Sequence, residues 1–433
     1  IVMVSELALG RKTGKGVVSA YQALSKRFKW VGWLGILSPF FILFFYCALG
    51  GYCIKYTILN IGDLFHASFG ANALAETAVA NGHSLGAEVF GAFMANPAEA
   101  IIFGLIFVAL TMLIVMGGVS GGIEKVCSVG MPALFVMLLI CIIRACTLEG
   151  AVDGLKYMFV PGWAVANGVI DKEPNFFGVL SAAGGQMFFS LSLGMGIMIT
   201  YGSYLDKKEN LQKNALLIIV MDTLVALMAG LCVIPGRFAL DPTGSLGGPK
   251  LLFVTMQNVF SRMGPIGPIF GILFYLLVVF AAVSSSISLL EAVVAHFVDN
   301  ARDAGKGDKR KAYALIGAVA VGVGAMLICA DSLGDASFTP WRLLNLPAES
   351  IRTWNDCWLD FFDMLSEGIM MPLGALMMTL MVGWELGPDV VKDECEASGH
   401  AMASYGFYKV CIKYITPLCM ILVLYGQIKE FFF

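Results

Sequence analysis

The chain has 433 residues, of which 58% are hydrophobic and 14% charged, with a formal net charge of −3 and a mean hydropathy of +0.81. Soluble domains carry roughly 25% charged residues, so a soluble enzyme is excluded, and the continuous apolar runs exclude a β-barrel, whose strands alternate. The charge gives no nucleic-acid footprint; the 11 cysteines form no CxxC pair, and His66, His83, His296 and His400 are scattered, so neither a disulfide framework nor a metal spacing appears.

The chain opens on an apolar stub, residues 1–9, too short to span and lacking the charged head and small-residue cleavage site of a signal peptide. It reads as the tail of a helix whose beginning is missing. Arg11, Lys12, Lys15, Lys26, Arg27 and Lys29 follow without an intervening acid, which makes this loop cytoplasmic by the positive-inside rule. A span over 32–56 leads to a long, mildly acidic outer loop, 62–97. Residues 98–118 return inward, a Gly-rich turn around 121–125 reverses the chain, and 131–146 form the core of the next outward span. Residues 149–175 are external. A segment over 177–204 crosses inward to the turn 206–209, and 216–235 cross outward to a Gly/Pro-rich outer loop, 237–264. Residues 269–297 span inward to the charged loop 299–311, and 312–330 span outward to the loop 331–356. Residues 361–384 span inward with Pro372 as a kink, and after the loop 385–404 the last span is 408–424. The expectation is one all-α polytopic domain, 1–433, with about nine spans and a stub.

The segment 177–204 has the wrong middle for a plain span. Gly184-Gly185-Gln186-Met187-Phe188-Phe189-Ser190-Leu191-Ser192-Leu193-Gly194-Met195-Gly196 puts hydroxyls and permissive backbone where Leu and Ile belong. In lipid, broken backbone is tolerated only where it is buried in protein or lines a cavity, and transporters use discontinuous helices at their binding sites. A tight helix crossing through small residues would use the same composition.

Further polar residues interrupt the spans. Asp222 is mid-span, where a carboxylate costs roughly 2.5–3.5 kcal/mol to insert; a bound cation or a protonated, hydrogen-bonded acid would each accommodate it. Ser284-Ser285-Ser286 supply hard oxygens of the kind hard cations take, or small residues for packing. Tyr46 needs a partner for its phenol, either a ligand carboxylate or a neighbouring carbonyl. Glu6 and Glu291 could join helices, and Asp299 and Asp363 lie near the inner and outer mouths.

Glu6-Leu7-Ala8-Leu9-Gly10-Arg11, Gly185 to Gly194, Thr200-Tyr201-Gly202-Ser203-Tyr204, Ser284-Ser285-Ser286 and Lys413-Tyr414-Ile415-Thr416-Pro417, in that order and spacing, resemble the sodium:neurotransmitter symporter family in its bacterial amino-acid branch. The resemblance covers essentially the whole chain. It implies the five-plus-five inverted-repeat transporter fold, lacking the first helix and the start of the second, and ending after the eleventh. The missing helix is the family's other broken one and supplies roughly half of the substrate and ion contacts, so the chain as written is not expected to transport.

Residue by residue, the resemblance implies that Tyr46 binds the substrate carboxylate and Phe189 closes over it. Ile42, Ser192, Met195 and Leu289 line the side-chain pocket, with Ser190 and Ser285 also at the substrate site. Ser190 and Asp222 bind a first sodium; the Ala281 carbonyl, Ser284 and Ser285 bind a second. Gln186 and Asp363 belong to the outer gate, Tyr204 and Asp299 to the inner gate, and Glu6 braces the unwound stretch. The expected function is sodium-coupled import of a hydrophobic or aromatic amino acid by alternating access in the inner (plasma) membrane. Asp222 stands where many relatives carry asparagine and some need chloride nearby, so transport is expected to be chloride-independent. Na+ is the expected coupled ion, the amino acid and the bilayer the partners, with no nucleic acid and a homodimer left open. The rival readings are a non-transporting amino-acid sensor, a truncated inactive relative, and a symporter of the same fold for a nucleobase, which Tyr46 disfavours. A membrane enzyme finds no metal cluster, nucleophile–base pair or phosphate loop.

Overall fold

A computed structural model describes residues 1–173, 175–245, 247–307, 309–345, 355–397 and 399–432, with the side chains at 120 and 430–432 excepted. The described residues are helices and short connections. They run α1 (Val2–Thr13), α2 (Val17–Leu24), α3 (Lys29–Leu64), α4 (Ala75–Asn81), α5 (Leu85–Met94), α6 (Pro97–Met116), α7 (Glu124–Cys146), α8 (Ala151–Phe159), α9 (Trp163–Ala166), α10 (Phe176–Ser190) and α11 (Ile197–Gly202). The second half continues with α12 (Leu211–Leu240), α13 (Gly248–Lys250), α14 (Met256–Arg262), α15 (Gly267–Asp303), α16 (Arg310–Asp331), α17 (Pro340–Leu343), α18 (Trp358–Asp363), α19 (Met371–Leu380), α20 (Asp389–Glu396), α21 (Tyr405–Val410) and α22 (Thr416–Phe432). Eight helical stretches are long and apolar enough to cross a membrane. The broken pair α10–α11 occupies the segment expected as a further inward crossing, each half being too short to count among the eight.

Helices are the natural solution here because lipid satisfies no backbone group, and each must close its own hydrogen bonds. The spans are apolar on every face, and large side chains such as Ile102, Leu113, Ile143, Leu216, Val319 and Leu418 stand exposed on the outside. The interior is organised around α3, which packs against α6, α15 and α16. Close approach depends on glycine: a Cβ on Gly51 of α3 would run into the backbone of Phe103 and Gly104 on α6. Small residues that let backbones meet are how membrane helices gain packing without a hydrophobic driving force.

The structure corrects several expectations. The outer loop 62–97 carries α4 and α5, the loop 149–175 carries α8 and α9, and the inner loop 385–404 carries α20. The chain reversal before α7 falls at Gly118, which adopts φ 78°, and the residues around 121–123 already belong to a π-helical turn leading into α7. Pro372 sits at the start of α19, and the irregularity lies just before it, in a π-helical stretch Met364–Met370. A proline clashes with the carbonyl four residues earlier, so the distortion precedes the ring. The central part of the expected outer loop 331–356, residues 346–354, lies outside the described residues.

Candidate functional site

α10 ends at Ser190, and helix resumes at Ile197. Between them Ser192, Gly194 and Gly196 take φ values of 55°, 76° and 71°, a left-handed region that glycine enters freely and serine does not. The segment is therefore a broken helix and not a continuous small-residue crossing. Its bend is gripped by neighbours. The Gly194 N–H donates to Glu6 Oε1 of α1 at 3.0 Å, and a Cβ on Gly194 would collide with the Met371 carbonyl of α19. Glu6 Oε2 is buried with no partner among the described residues.

A cavity of about 430 Å³ opens beside this break. α3 contributes Ile42 and Tyr46; α10 contributes Gln186, Phe189 and Ser190; the break contributes Ser192 and Met195. Asp222 enters from α12, and Ser284, Ser285 and Leu289 from α15. All eight residues expected at the substrate site thus share one cavity, together with Asp222 and Ser284. Tyr46 and Phe189 face each other with ring centroids 6.4 Å apart, and Ser285 is within side-chain hydrogen-bonding reach of the Tyr46 phenol.

Two oxygen clusters line this cavity. At one, Ser190 Oγ donates to Asp222 Oδ1 at 2.7 Å. At the other, Ser284 Oγ donates to the Ala281 carbonyl at 2.8 Å, which joins Ala281 to the cluster although it does not itself line the cavity. Both sets are hard oxygen donors, suited to alkali or alkaline-earth cations and not to soft metals. Among the described residues no group of three or more His, Cys, Asp or Glu side chains could hold a metal ion. Ser286 departs from the serine-triplet expectation. It points away from the cavity and shares a 2.8 Å hydrogen bond with Thr111 of α6, as the helical turn of 3.6 residues requires.

The expected gate residues are less concentrated. Gln186 lines the cavity, whereas Asp363, at the end of α18, lies outside its lining and shares a side-chain hydrogen bond with Glu367. At the inner side the Tyr204 hydroxyl donates to Glu291 Oε1 at 2.7 Å, and Arg310 grips the same carboxylate with bonds of 2.5 and 3.0 Å. Asp299 instead accepts from the Gly16 N–H at 2.6 Å. Tyr204 and Asp299 therefore close different joints, and no bond links them among the described residues.

Met131, Ile197, Met198, Tyr201 and Ser288 also line the cavity and were not singled out from sequence. Ser288 was recoverable, since it lies four residues past Ser284 on the same helical face; it receives a 2.8 Å hydrogen bond from Tyr201 and donates to the Ser284 carbonyl at 3.1 Å. Met131 carried no signal, being one apolar residue in an apolar helix.

The model of the sodium:neurotransmitter symporter family matches residues 97–339. The chain is 30% identical over 435 residues to the uncharacterised sodium-dependent transporter YhdH of Bacillus subtilis, covering 98% of this chain and 85% of that protein. It is 30% identical over 416 residues to an uncharacterised sodium-dependent transporter of Haemophilus influenzae, covering 95% and 81%. Its fold matches the crystal structure of MhsT in complex with L-phenylalanine with a TM-score of 0.79 at 29% identity, over 98% of this chain and 88% of that one.

Proposed function

The chain belongs to the sodium:neurotransmitter symporter family, and from that membership and the cavity we propose a sodium-coupled symporter that imports a hydrophobic or aromatic L-amino acid without needing chloride. It is a multi-pass membrane protein whose relatives are sodium-dependent transporters and not enzymes; the plasma membrane is its proposed site.

The observation that carries the reading is the meeting of the helix break, the Tyr46 phenol and the Ser190–Asp222 pair in one cavity. Free N–H groups at the break, with the Tyr46 hydroxyl, donate to the α-carboxylate of the substrate. Ile42, Met195 and Leu289 surround its side chain with apolar surface, and Phe189 caps it. Among the described residues no basic side chain lines the cavity and Asp222 is its one carboxylate, so an acidic side chain finds no partner there. Methionines re-pack around different shapes, which suits a range of apolar side chains. The phenylalanine held by MhsT supports this class.

Asp222 and Ser190 hold one sodium ion, and the Ala281 carbonyl, Ser284 and Ser285 hold another. Gln186 and Asp363 act on the outer side, and Tyr204 and Asp299 on the inner side. Each ligand shifts the outward–inward equilibrium only by its differential affinity for the two states. The fixed carboxylate at Asp222 supplies the negative charge beside the first sodium that a chloride ion would otherwise bring.

The test is uptake of radiolabelled phenylalanine, leucine, glycine, lysine or glutamate by the full-length protein in proteoliposomes under an inward sodium gradient. Accumulation of phenylalanine and leucine, abolished when choline replaces sodium and unchanged when gluconate replaces chloride, is the expected result. Sodium-dependent binding without accumulation would identify a sensor instead. Uptake restricted to glycine or charged substrates would refute the substrate class.

A further inference from the structure

The lateral surface carries an apolar groove that the transport cavity does not use. It has a volume of about 340 Å³ and lies between α3, α15 and α16, at the end of the molecule that the basic loops assign to the cytoplasm. Trp33, Leu37 and Phe40 of α3 form one wall, Tyr313 and Ala320 of α16 form the other, and Phe297 of α15 lies between them.

The rim is aromatic. Trp33 meets His296 edge-on at 5.3 Å, His296 adjoins Phe297 at 5.3 Å, and Phe297 stacks on Tyr313 at 5.9 Å. A row of rings thus crosses three helices at the level where aromatic side chains mark the membrane–water interface. Lys29, the first residue of α3, stands four residues before Trp33 and so on its face, and Lys309 is the N-cap residue of α16, one turn before Tyr313. The Tyr313 N–H donates to the Lys309 carbonyl at 3.0 Å, which fixes that turn.

Both lysines are exposed, and neither forms an ion pair among the described residues. Neighbouring charges at this end are already engaged. Lys15 pairs with Asp303, Asp299 accepts from the Gly16 N–H, and Arg310 pairs with Glu291. An apolar slot, an interfacial aromatic row and two uncommitted ammonium groups in sequence match one ligand, an amphiphile with an anionic head.

We propose that this groove binds an anionic phospholipid of the inner leaflet, with an acyl chain along Leu37 and Phe40 and the headgroup phosphate held by Lys29 and Lys309. Basic pockets between membrane helices on the cytoplasmic side select anionic headgroups in this way. The site is separate from the transport cavity, and its test does not depend on the substrate.

Native mass spectrometry of the purified full chain, released from a non-ionic detergent, reads the retention of added dioleoyl phosphatidylglycerol against dioleoyl phosphatidylcholine. Phosphatidylglycerol is expected to be retained about 30-fold more tightly, the scale that two interfacial lysines supply. The Lys29→Ala/Lys309→Ala variant should bring the two lipids within about two-fold of each other, again on the scale of two lysines, and Ala320→Leu, which fills the slot, should weaken retention of both. A control variant, Lys208→Ala/Lys213→Ala, on a different cytoplasmic turn, should keep the preference. Equal retention of the two lipids by the unmodified chain would overturn the proposal. So would a preference that survives in Lys29→Ala/Lys309→Ala, an equal loss in the control, or displacement of the lipid by inorganic phosphate alone.

Discussion

Replacing Asp222 with asparagine separates charge from hydrogen bonding at the candidate sodium site. The amide oxygen of Asn can still accept from Ser190 Oγ, which lies 2.7 Å from Asp222 Oδ1, so local geometry is kept while the unit charge is removed. Opposite charges about 4 Å apart interact by roughly 4 kcal/mol at an effective dielectric near 20. Asp222 is partly exposed and lines an open cavity, so water reduces that share to about 2–3 kcal/mol. At 1.4 kcal/mol per factor of ten, the sodium concentration for half-maximal uptake should rise about 30- to 150-fold. The assay is initial phenylalanine uptake in proteoliposomes at graded sodium, with choline keeping ionic strength constant, in chloride and in gluconate. The unmodified protein should be indifferent to the anion, and Asp222→Asn should recover part of its sodium affinity when chloride is present. A variant that elutes as folded protein yet keeps its half-saturating sodium within about three-fold of the original would refute the charge argument, because the Coulomb term predicts a shift at least ten times larger.

Other elements give sharp outcomes as well. Gly194→Ala places a methyl against the Met371 carbonyl at a φ of 76°; a loss of about 2 kcal/mol or more in unfolding free energy is expected, whereas Gly121→Ala, with open space around it, should change stability little. Glu291→Ala strips Arg310 and the Tyr204 hydroxyl of a shared acceptor. Breaking one side of a buried pair costs about 3–5 kcal/mol, and the double variant Glu291→Ala/Arg310→Ala should recover part of it, which a double-mutant cycle of thermal unfolding reads directly. Met131→Trp narrows the cavity from the α7 side; competition binding should lose tryptophan and phenylalanine before alanine, and an unchanged ranking would remove Met131 from substrate selection.

The spans were legible because apolar length is a strong one-dimensional signal. The break between α10 and α11 was legible for a related reason, since Ser192, Gly194 and Gly196 contradict both propensity and lipid exposure. Less legible was what sits beside an apolar residue in space. Met131 reaches the cavity only through the packing of α7, and no local pattern distinguishes it from Met137 two turns away, which is buried in the core. The short helices of the loops were hidden by their brevity, although α5 is apolar and Ser84 caps it by accepting from the Ala87 N–H, a signature that sequence does carry. The partner of Glu291 was also unseen: Arg310 reads as one more cytoplasmic charge until the structure turns it inward.

The break is held from three directions, and this bears on how a ligand could use it. Glu6 of α1 takes the Gly194 N–H. The α19 backbone closes on the same residue through Met371 and Gly374. Val17 of α2 and the Gly35 carbonyl of α3 crowd Gly196 so closely that no Cβ fits there. Left-handed backbone at a serine persists only where its surroundings over-determine it, and Ser192 has such surroundings on each side of the bend. The unwound conformation is therefore built by the protein's own contacts. A ligand arriving at the cavity meets a helix that is already broken and does not have to spend binding energy on unwinding it. Loosening any one grip should then weaken ligand affinity before it weakens the fold, because the other two still hold the bend while its carbonyls and N–H groups lose their alignment.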